Sequence, residues 1–167
     1  MSRYKPPRPP SSKYITLEGH RLLQEELDFL WRKKRPEVTK AITAAAAEGD
    51  RSENAEYIYR KKQLREIDYR VRFLRKRLEG MKIVDTIPSD HSKIYFGAWV
   101  ELLDEQEVMH QYRIVGPDEF SRNEKYISMD SPLAKSLMGK SIDDEVSIHT
   151  PKGQKFYEIA GVSYSES

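Results

Sequence analysis

The stretch AAAAEGDRSENAEYIYRKK, residues 44–62, joins two segments of helical pattern through a short polar interruption. Gly49 and its polar neighbours break the apolar periodicity, which resumes after them. A few polar residues between two long helical segments are typical of an antiparallel helical hairpin. Residues 48–54 are therefore the predicted tip of a hairpin, and this tip carries carboxylates although both flanking segments are rich in Lys and Arg.

Both flanking segments space their apolar residues as helices do. The first begins after Thr16, a predicted N-cap, and contains Pro36, where we expect a kink. The second alternates steps of three and four, the heptad pattern of a coiled coil. A helix of about thirty residues extends about 45 Å. The apolar positions are Leu23, Leu27, Leu30, Trp31, Val38, Ile42 and Ala45 in the first segment, and Leu64, Ile67, Val71, Leu74, Leu78 and Met81 in the second.

After Gly80 the pattern changes to short segments rich in β-branched and aromatic residues, which predict a mainly antiparallel sheet. One short helix is predicted over 131–139, with Ser131 as N-cap, Pro132 at its first position and Gly139 at its end. The predicted fold class is α+β, with a coiled-coil hairpin at 14–83, a linker at 84–92 and a sheet domain at 93–167. The predicted strands are KIYFGAWVELLD, VMHQYRIVG, KYISMD, DEVSIHT and KFYEIAGVSY.

Charge is divided unevenly along the 167 residues, whose net charge is +2. Residues 1–16 carry a net +4, residues 17–83 a net +5 and residues 84–167 a net −7. A basic first half makes nucleic acid a candidate partner, although solvated helix faces also carry many charges. Residues 1–13 are rich in Pro and basic residues and predict a disordered tail; PPRPP within it is also a candidate ligand for a proline-binding groove.

Composition excludes several classes of protein and site. The chain has no cysteine, and its four histidines lie far apart, so thiol catalysis, disulfides and a His-based metal site are not expected. No apolar stretch is long enough to cross a membrane, and the first residues lack a signal-peptide pattern. We therefore expect a cytoplasmic protein, and a monomer. No P-loop, nucleophile elbow or dinucleotide fingerprint is present, so the chain does not resemble a self-sufficient enzyme.

The acidic tip has two interpretations from local chemistry. Asp50 and Glu53 have the D-x-x-E spacing of a capping box, with Ser52 as a competing N-cap. Alternatively, two carboxylates three positions apart at a helix start could hold a Mg²⁺ ion jointly, provided that a partner supplies further oxygen ligands. Both interpretations remain open on these grounds.

Basic residues of both segments are the second candidate feature. Because the apolar seam must face the other helix, their side chains are expected to point outward, where they could follow a phosphate backbone. Alternatively, these basic residues form ion pairs with acidic residues three or four positions away on the same helix. The basic residues in question are Arg32, Lys33, Lys34, Arg35 and Lys40 in the first segment, and Arg60, Lys61, Lys62, Arg65, Arg70, Arg72, Arg75, Lys76 and Arg77 in the second.

Several stretches closely resemble the bacterial Gre transcript-cleavage factors, and among them those of GreB type. The resemblance extends from residue 14 nearly to the end and is most specific at the tip; the Pro-rich extension of residues 1–13 and the last residues depart from it. The stretches that carry it are LDFLWRKKRPEVTKAI, EGDRSENAEY, LREIDYRVRFLRKRLEGMKIVD, FGAWVEL, RIVGPDE and YISMDSPLAKSLMGK.

The resemblance implies a coiled coil that enters the secondary channel of RNA polymerase and an FKBP-like domain that docks on the channel rim. Such factors stimulate the polymerase's own cleavage of the backtracked RNA 3′ end. The acidic pair of the family matches Asp50 and Glu53, which would help to bind a catalytic Mg²⁺ shared with the polymerase. The remaining implied positions are Arg51, Ser52 and Asn54 as tip support, Arg60, Lys61, Lys62 and Arg65 as RNA contacts, and Asp130, Ser131 and Pro132 as the docking segment.

Two other functions remain open at this point. A channel-binding regulator of the same fold would inhibit the polymerase instead of stimulating cleavage, although the complete acidic tip favours cleavage. A coiled-coil protein that binds nucleic acid independently of polymerase would bind free RNA or DNA with strong salt dependence.

Overall fold

The structure is a computed structural model, and it describes residues 10–49 and 54–164. The chain divides into two compact units, a helical unit spanning Glu18–Met81 and a sheet unit formed by the residues before and after it. Within the described residues, no helix is long and apolar enough to cross a membrane.

The helical unit is the predicted hairpin. Its first arm consists of α1 (Leu17–Phe29), a π-helical turn (Leu30–Lys34) and α2 (Arg35–Ala46), and its second arm is α3 (Ala55–Glu79). Helix α1 begins directly after Thr16, as the sequence predicted. The helical patterns on both sides of the interruption are thus confirmed.

Pro36 adjoins a departure from regular α-helix in the first arm, while the expected kink itself stays a prediction. Pro36 lies in the first turn of α2, directly after the π-helical turn, where the Arg35 N–H donates to the Leu30 carbonyl oxygen five residues earlier. Proline has no N–H, and its ring collides with the carbonyl four residues before it in a regular α-helix. A π-helical turn widens the backbone at this place and so accommodates the proline while the arm continues.

The two arms are held together by a narrow apolar seam. Val38, Ile67 and Val71 are buried at its centre, and Leu27, Leu30, Ile42 and Leu64 pack around them. These are predicted seam positions, because a 3.5-residue repeat keeps one stripe of each helix facing the other. The assignment of Trp31 to the seam is wrong, since its side chain is 44% exposed. The Trp31 ring instead contacts the guanidinium groups of Arg75, at 4.4 Å, and Arg35, at 5.3 Å.

The sheet unit contains a five-stranded sheet in the order β5-β4-β3-β7-β6. Its strands are β3 (Trp99–Leu103), β4 (Met109–Val115), β5 (Tyr126–Ser128), β6 (Glu145–Thr150) and β7 (Gly153–Ser163), and they coincide with the five predicted segments. All neighbouring pairs are antiparallel except β4 and β5, which are parallel. A short helix, α4 (Pro132–Leu137), places Ala134 and Leu137 in the core of the sheet.

The predicted ends of α4 are confirmed. The Ser131 hydroxyl accepts a hydrogen bond from the Ala134 N–H at 3.2 Å, and Pro132 occupies the first turn. Gly139 follows the helix with φ of +79°, a left-handed conformation that glycine adopts without a steric penalty.

Two very short strands fix where the chain leaves and re-enters the sheet unit. β1 (Tyr14–Ile15) pairs in parallel with β2 (Lys82–Ile83), and the Val84 N–H donates to the Ile15 carbonyl. Residues 14–17 and 82–83, which the sequence analysis placed in the hairpin segment 14–83, therefore group with the sheet unit. They do so because β1 pairs with β2. Strands of two residues are too short to be predicted from a sequence.

Part of the predicted disordered tail also contacts the sheet unit. The Ser12 N–H donates to the Asp130 carboxylate at 2.9 Å, the Ser12 hydroxyl donates to its other oxygen, and the Lys13 carbonyl accepts from the Lys82 N–H. These bonds order residues 12–13, so the tail prediction does not hold there. Residues 1–9 lie outside the described part of the chain.

Replacing Ile67 by alanine should test the seam. Ile67 is 6% exposed, and its truncation should lower the free energy of unfolding of the helical unit by about 2–4 kcal/mol, because the narrow seam cannot refill the cavity. Ile58→Ala is the matched control on the same helix, since Ile58 is 52% exposed and its truncation removes little buried surface. Urea unfolding followed by circular dichroism at 222 nm measures both variants. Equal loss in the two variants would contradict the seam.

Candidate functional site

The predicted tip is the segment between the end of α2 and the start of α3. Asp50, Arg51, Ser52 and Glu53 are outside the described residues, so the structure tests none of these four assignments. The described chain on the first side ends with Glu48 and Gly49, which follow the end of α2, and on the second side it resumes at Asn54.

Asn54 connects the two arms at this end. Its Oδ1 accepts a hydrogen bond from the Tyr57 N–H at 3.0 Å, which makes it the N-cap of α3. Its Nδ2 donates to the Ala45 carbonyl at 2.7 Å, in the last turn of α2. One side chain thus accepts from a backbone N–H of one helix and donates to a carbonyl of the other, and that carbonyl also accepts from the Glu48 N–H at 3.2 Å.

This arrangement corrects the capping-box interpretation. Because α3 begins at Ala55 with Asn54 as its N-cap, Asp50 and Ser52 are not the N-caps of this helix. Sequence reasoning named Asn54 only as tip support and missed its capping role, although asparagine is among the best N-cap residues.

Near the tip, two of the four candidate RNA contacts interact with their own helix. The Arg60 guanidinium donates to Glu56 at 2.9 Å and to Gln63 at 3.0 Å, as the pairing alternative predicted. The Lys61 ammonium lies 5.9 Å from the centre of the Tyr57 ring. Lys62 and Arg65 are exposed, and within the described residues neither forms an ion pair.

Farther along the hairpin, two basic residues form ion pairs between the arms. Arg35 donates to Asp68 at 2.8 Å, and this hydrogen bond raises the pKa of Arg35 above its ordinary value. Arg70 forms a bidentate pair with Glu26, with N–O distances of 2.7 and 3.0 Å. Arg35 and Arg70 are among the residues predicted to be available to a phosphate backbone. In the structure their guanidinium groups instead form ion pairs that join the two arms.

The candidate docking segment, residues 130–132, lies in the sheet unit at the start of α4. Ser131 and Pro132 form the N-terminal turn of that helix, and Asp130 is half-buried. The Asp130 carboxylate accepts from both the backbone and the hydroxyl of Ser12. Within the described residues, no group of three or more His, Asp or Glu side chains is arranged to hold a metal ion.

Comparison with known proteins assigns the chain to a family. A family model described as "Transcription elongation factor, N-terminal" matches residues 13–83, and one described as "Transcription elongation factor, GreA/GreB, C-term" matches residues 89–164. The chain belongs to the GreA/GreB family of transcription elongation factors. The two matches correspond to the helical hairpin with its flanking short strands and to the sheet, so the family resemblance of the sequence is confirmed.

Relatives of this Gre-family chain match along nearly its whole length. It is 56% identical to "Transcription elongation factor GreB" of Pseudomonas aeruginosa, covering 98% of each chain. It is 58% identical to the protein of the same name from Yersinia pestis, covering 92% of this chain and 90% of that one. A solved structure, Gfh1 of Thermus aquaticus, is 25% identical, with a TM-score of 0.42 over 92% of this chain and 99% of that one.

The double role of Asn54 can be separated by two substitutions. Asn54→Ala removes both hydrogen bonds and should lower the free energy of unfolding of the Gre-family hairpin by about 1 kcal/mol or more. Asn54→Asp keeps an N-cap acceptor but places a carboxylate beside the Ala45 carbonyl, so amide hydrogen exchange should rise at the end of α2 and stay low at Tyr57. Unchanged exchange at both places in Asn54→Ala would contradict the bridge.

Proposed function

We propose that this protein inserts its helical hairpin into the secondary channel of RNA polymerase and stimulates the polymerase's own cleavage of backtracked transcripts. The observation that carries the proposal is the near full-length match, at 56% identity, to a relative named transcription elongation factor GreB. The hairpin has a form suited to a narrow channel, since α3 alone is 25 residues long, about 37 Å.

The tip would supply carboxylates to the polymerase active centre. Asp50 and Glu53 offer oxygen ligands of the kind that Mg²⁺ prefers, and two carboxylates alone make a weak site that polymerase ligands would complete. When bound, this shared Mg²⁺ would supply activation of water and stabilisation of charge at the scissile phosphate. Asn54 holds the ends of the two helices together beside this segment, and Arg51 and Ser52 would assist in orienting RNA or water.

The basic face of α3 would hold the extruded RNA 3′ end. Lys62 and Arg65 are the strongest candidates, because both are exposed and neither forms an ion pair among the described residues. Arg60 and Lys61 lie next to them, and their contacts with Glu56 and Tyr57 are surface interactions of small energy that a phosphate would replace at little cost. Phosphate contacts of this kind hold RNA without reading its sequence.

The sheet unit would dock on the rim of the channel through Asp130, Ser131 and Pro132. In the free protein the Asp130 carboxylate is held by two hydrogen bonds from Ser12. A basic group of the polymerase would therefore meet a carboxylate whose position is already set, or would displace Ser12 from it.

Cleavage of RNA in stalled elongation complexes tests the tip. With Asp50→Ala and Glu53→Ala combined, stimulated cleavage should fall to the intrinsic rate of the polymerase at saturating factor, because the carboxylate ligands are lost. Binding to the polymerase should stay nearly unchanged. The control is the combination of Glu37→Ala and Glu66→Ala, which removes two exposed carboxylates from the arms and should preserve cleavage.

Three outcomes would overturn the proposal. Full cleavage by the tip variant would exclude metal sharing through Asp50 and Glu53. Inhibition of cleavage by the unaltered protein would identify a channel-binding regulator. Strong binding of free RNA with no effect on stalled complexes would identify a nucleic-acid-binding protein that acts without polymerase.

Asp130→Asn tests docking separately from chemistry. This change removes one negative charge at the start of α4 and should raise the factor concentration needed for half-maximal cleavage, while leaving the rate at saturation unchanged. Glu124→Gln, at an exposed position of the same unit, is the matched control and should change neither quantity. A lower saturating rate in Asp130→Asn at an unchanged half-maximal concentration would contradict a docking role.

A further inference from the structure

Ser12, which lies two residues before β1, contacts the proposed docking segment from a distant part of the chain. Its N–H donates to one oxygen of the Asp130 carboxylate at 2.9 Å, and its hydroxyl donates to the other oxygen. One serine therefore engages both oxygens of the side chain whose charge the proposed docking uses.

The backbone of Asp130 is fixed without Ser12. The Asp130 N–H donates to the Ser128 hydroxyl at 3.1 Å, and the Ser131 N–H donates to the Ser128 carbonyl at 2.9 Å, which closes a turn over residues 128–131. Among the described residues, the hydrogen bonds to the Asp130 carboxylate come from Ser12. Ser12 thus sets the orientation of this side chain, while the turn sets the path of its main chain.

Ser12 is itself held in place by the segment that follows it. The carbonyl of the next residue, Lys13, accepts from the Lys82 N–H at 2.8 Å, directly beside the pairing of β1 with β2. Thr16 is anchored by the buried Glu119, to which both its N–H and its hydroxyl donate. Ser12 therefore presents its two donors from the end of an anchored strand and not from a loose tail.

A carboxylate with a fixed orientation is a better ligand for a basic group. Binding costs less where a side chain has already lost its rotamer freedom. An ionised carboxylate has about four acceptor positions, so two hydrogen bonds from Ser12 leave others for an Arg or Lys of a partner. Asp130 is half-buried beside the exposed Pro132, so a partner can reach it. Ser12 thus orders the Asp130 carboxylate without saturating it.

We propose, on the basis of the docking role proposed for residues 130–132, that Ser12 is a positioning residue for docking. It stays bonded to Asp130 in the complex and holds the carboxylate towards a basic group of the polymerase. In the opposite arrangement the polymerase displaces Ser12 from Asp130. A positioning serine strengthens docking, whereas a displaced serine weakens it, so removal of the Ser12 hydroxyl decides between the two.

Equilibrium binding to stalled elongation complexes tests the positioning role in the full-length protein. The chain has no cysteine, so Ser167→Cys provides a single site for a dye whose fluorescence anisotropy reports binding. Ser12→Ala removes the hydroxyl and keeps the N–H. The Kd should then rise roughly two- to tenfold, because the Asp130 side chain must be ordered when it binds. The cleavage rate at saturating factor should stay unchanged.

Two further variants and one structural readout accompany Ser12→Ala. Ser12→Thr keeps a hydroxyl and should restore the Kd. Ser11→Ala, at the exposed neighbouring position, is the matched control and should leave the Kd unchanged. Amide hydrogen exchange at Lys82 should be unchanged in Ser12→Ala, because the bond from Lys82 to the Lys13 carbonyl does not involve the Ser12 side chain. A higher Kd accompanied by faster exchange at Lys82 would assign Ser12 a purely structural role and overturn the proposal.

A double-mutant cycle tests whether Ser12 acts through Asp130. Asp130→Ala alone should raise the Kd, and Ser12→Ala should add nothing in that background, because the carboxylate that Ser12 orients is absent. A further rise in the double variant would show that Ser12 acts through another group and would overturn its positioning role.

The remaining outcomes separate the role of Ser12 from the docking role of Asp130. If Asp130→Ala raises the Kd and Ser12→Ala leaves it unchanged, the positioning role is excluded while docking through Asp130 stands. A lower Kd in Ser12→Ala would identify displacement of Ser12 by the polymerase and also overturn the positioning role. An unchanged Kd in Asp130→Ala would contradict docking through Asp130 itself, and the role of Ser12 with it.

Discussion

A buried carboxylate holds together the place where the chain leaves the sheet unit for the hairpin. Glu119 is 2% exposed and accepts hydrogen bonds from the Thr16 N–H at 2.8 Å, the Thr16 hydroxyl and the Gly116 N–H at 3.0 Å. A carboxylate so deeply buried would destabilise the fold without such donors. Residue 116 must be glycine, because an added Cβ would lie 2.1 Å from the Tyr14 carbonyl oxygen. These contacts set the position of Thr16, directly before α1, and the pairing of β1 with β2 sets the place of return.

The hairpin itself is stabilised in a different way, because a two-helix seam buries few side chains. Val38, Ile67 and Val71 supply its apolar centre. The pairs Arg35–Asp68 and Arg70–Glu26 bridge the arms on the surface, where each contributes modestly. Asn54 closes the end at the tip. Packing, surface charge and a shared cap thus act at successive positions along the arms.

Features that repeat along the chain were predictable from sequence, and features made by single long-range contacts were not. The seam follows from periodicity, the five strands follow from their β-branched and aromatic content, and α4 follows from the order Ser131, Pro132 and Gly139. Trp31 was misplaced because its position fits the apolar stripe, while its ring is large enough to remain at the surface against two guanidinium groups. Glu119 resembles any surface acid in the sequence, and two of the donors that allow its burial come from the distant Thr16.

The residues of the candidate site were likewise only partly predictable from sequence. Asp50 and Glu53 are candidates both from their spacing and from the resemblance, and local chemistry alone favours capping for them. The N-cap is instead Asn54, one of three capping-competent residues within five positions. Sequence order cannot decide among such neighbours, because the choice depends on which side chain also reaches the opposite arm. The Asn54 amide does both, since its oxygen caps α3 while its nitrogen donates to the Ala45 carbonyl of the opposite arm.

The pairs between the arms also limit how the basic face can act. Arg35 and Arg70 contribute to joining the arms, and recruiting either to a phosphate would expose an unpaired Asp68 or Glu26 to the same negative ligand. Lys62 and Arg65 carry no such cost among the described residues, so the proposed contact of α3 with RNA would gain most where these two lie. They follow Asn54, the last residue of the tip, by eight and eleven residues, about 12–17 Å along the helix. On α3, Arg70 stabilises the hairpin, whereas Lys62 and Arg65, which are available to a ligand, lie closer to the acidic tip.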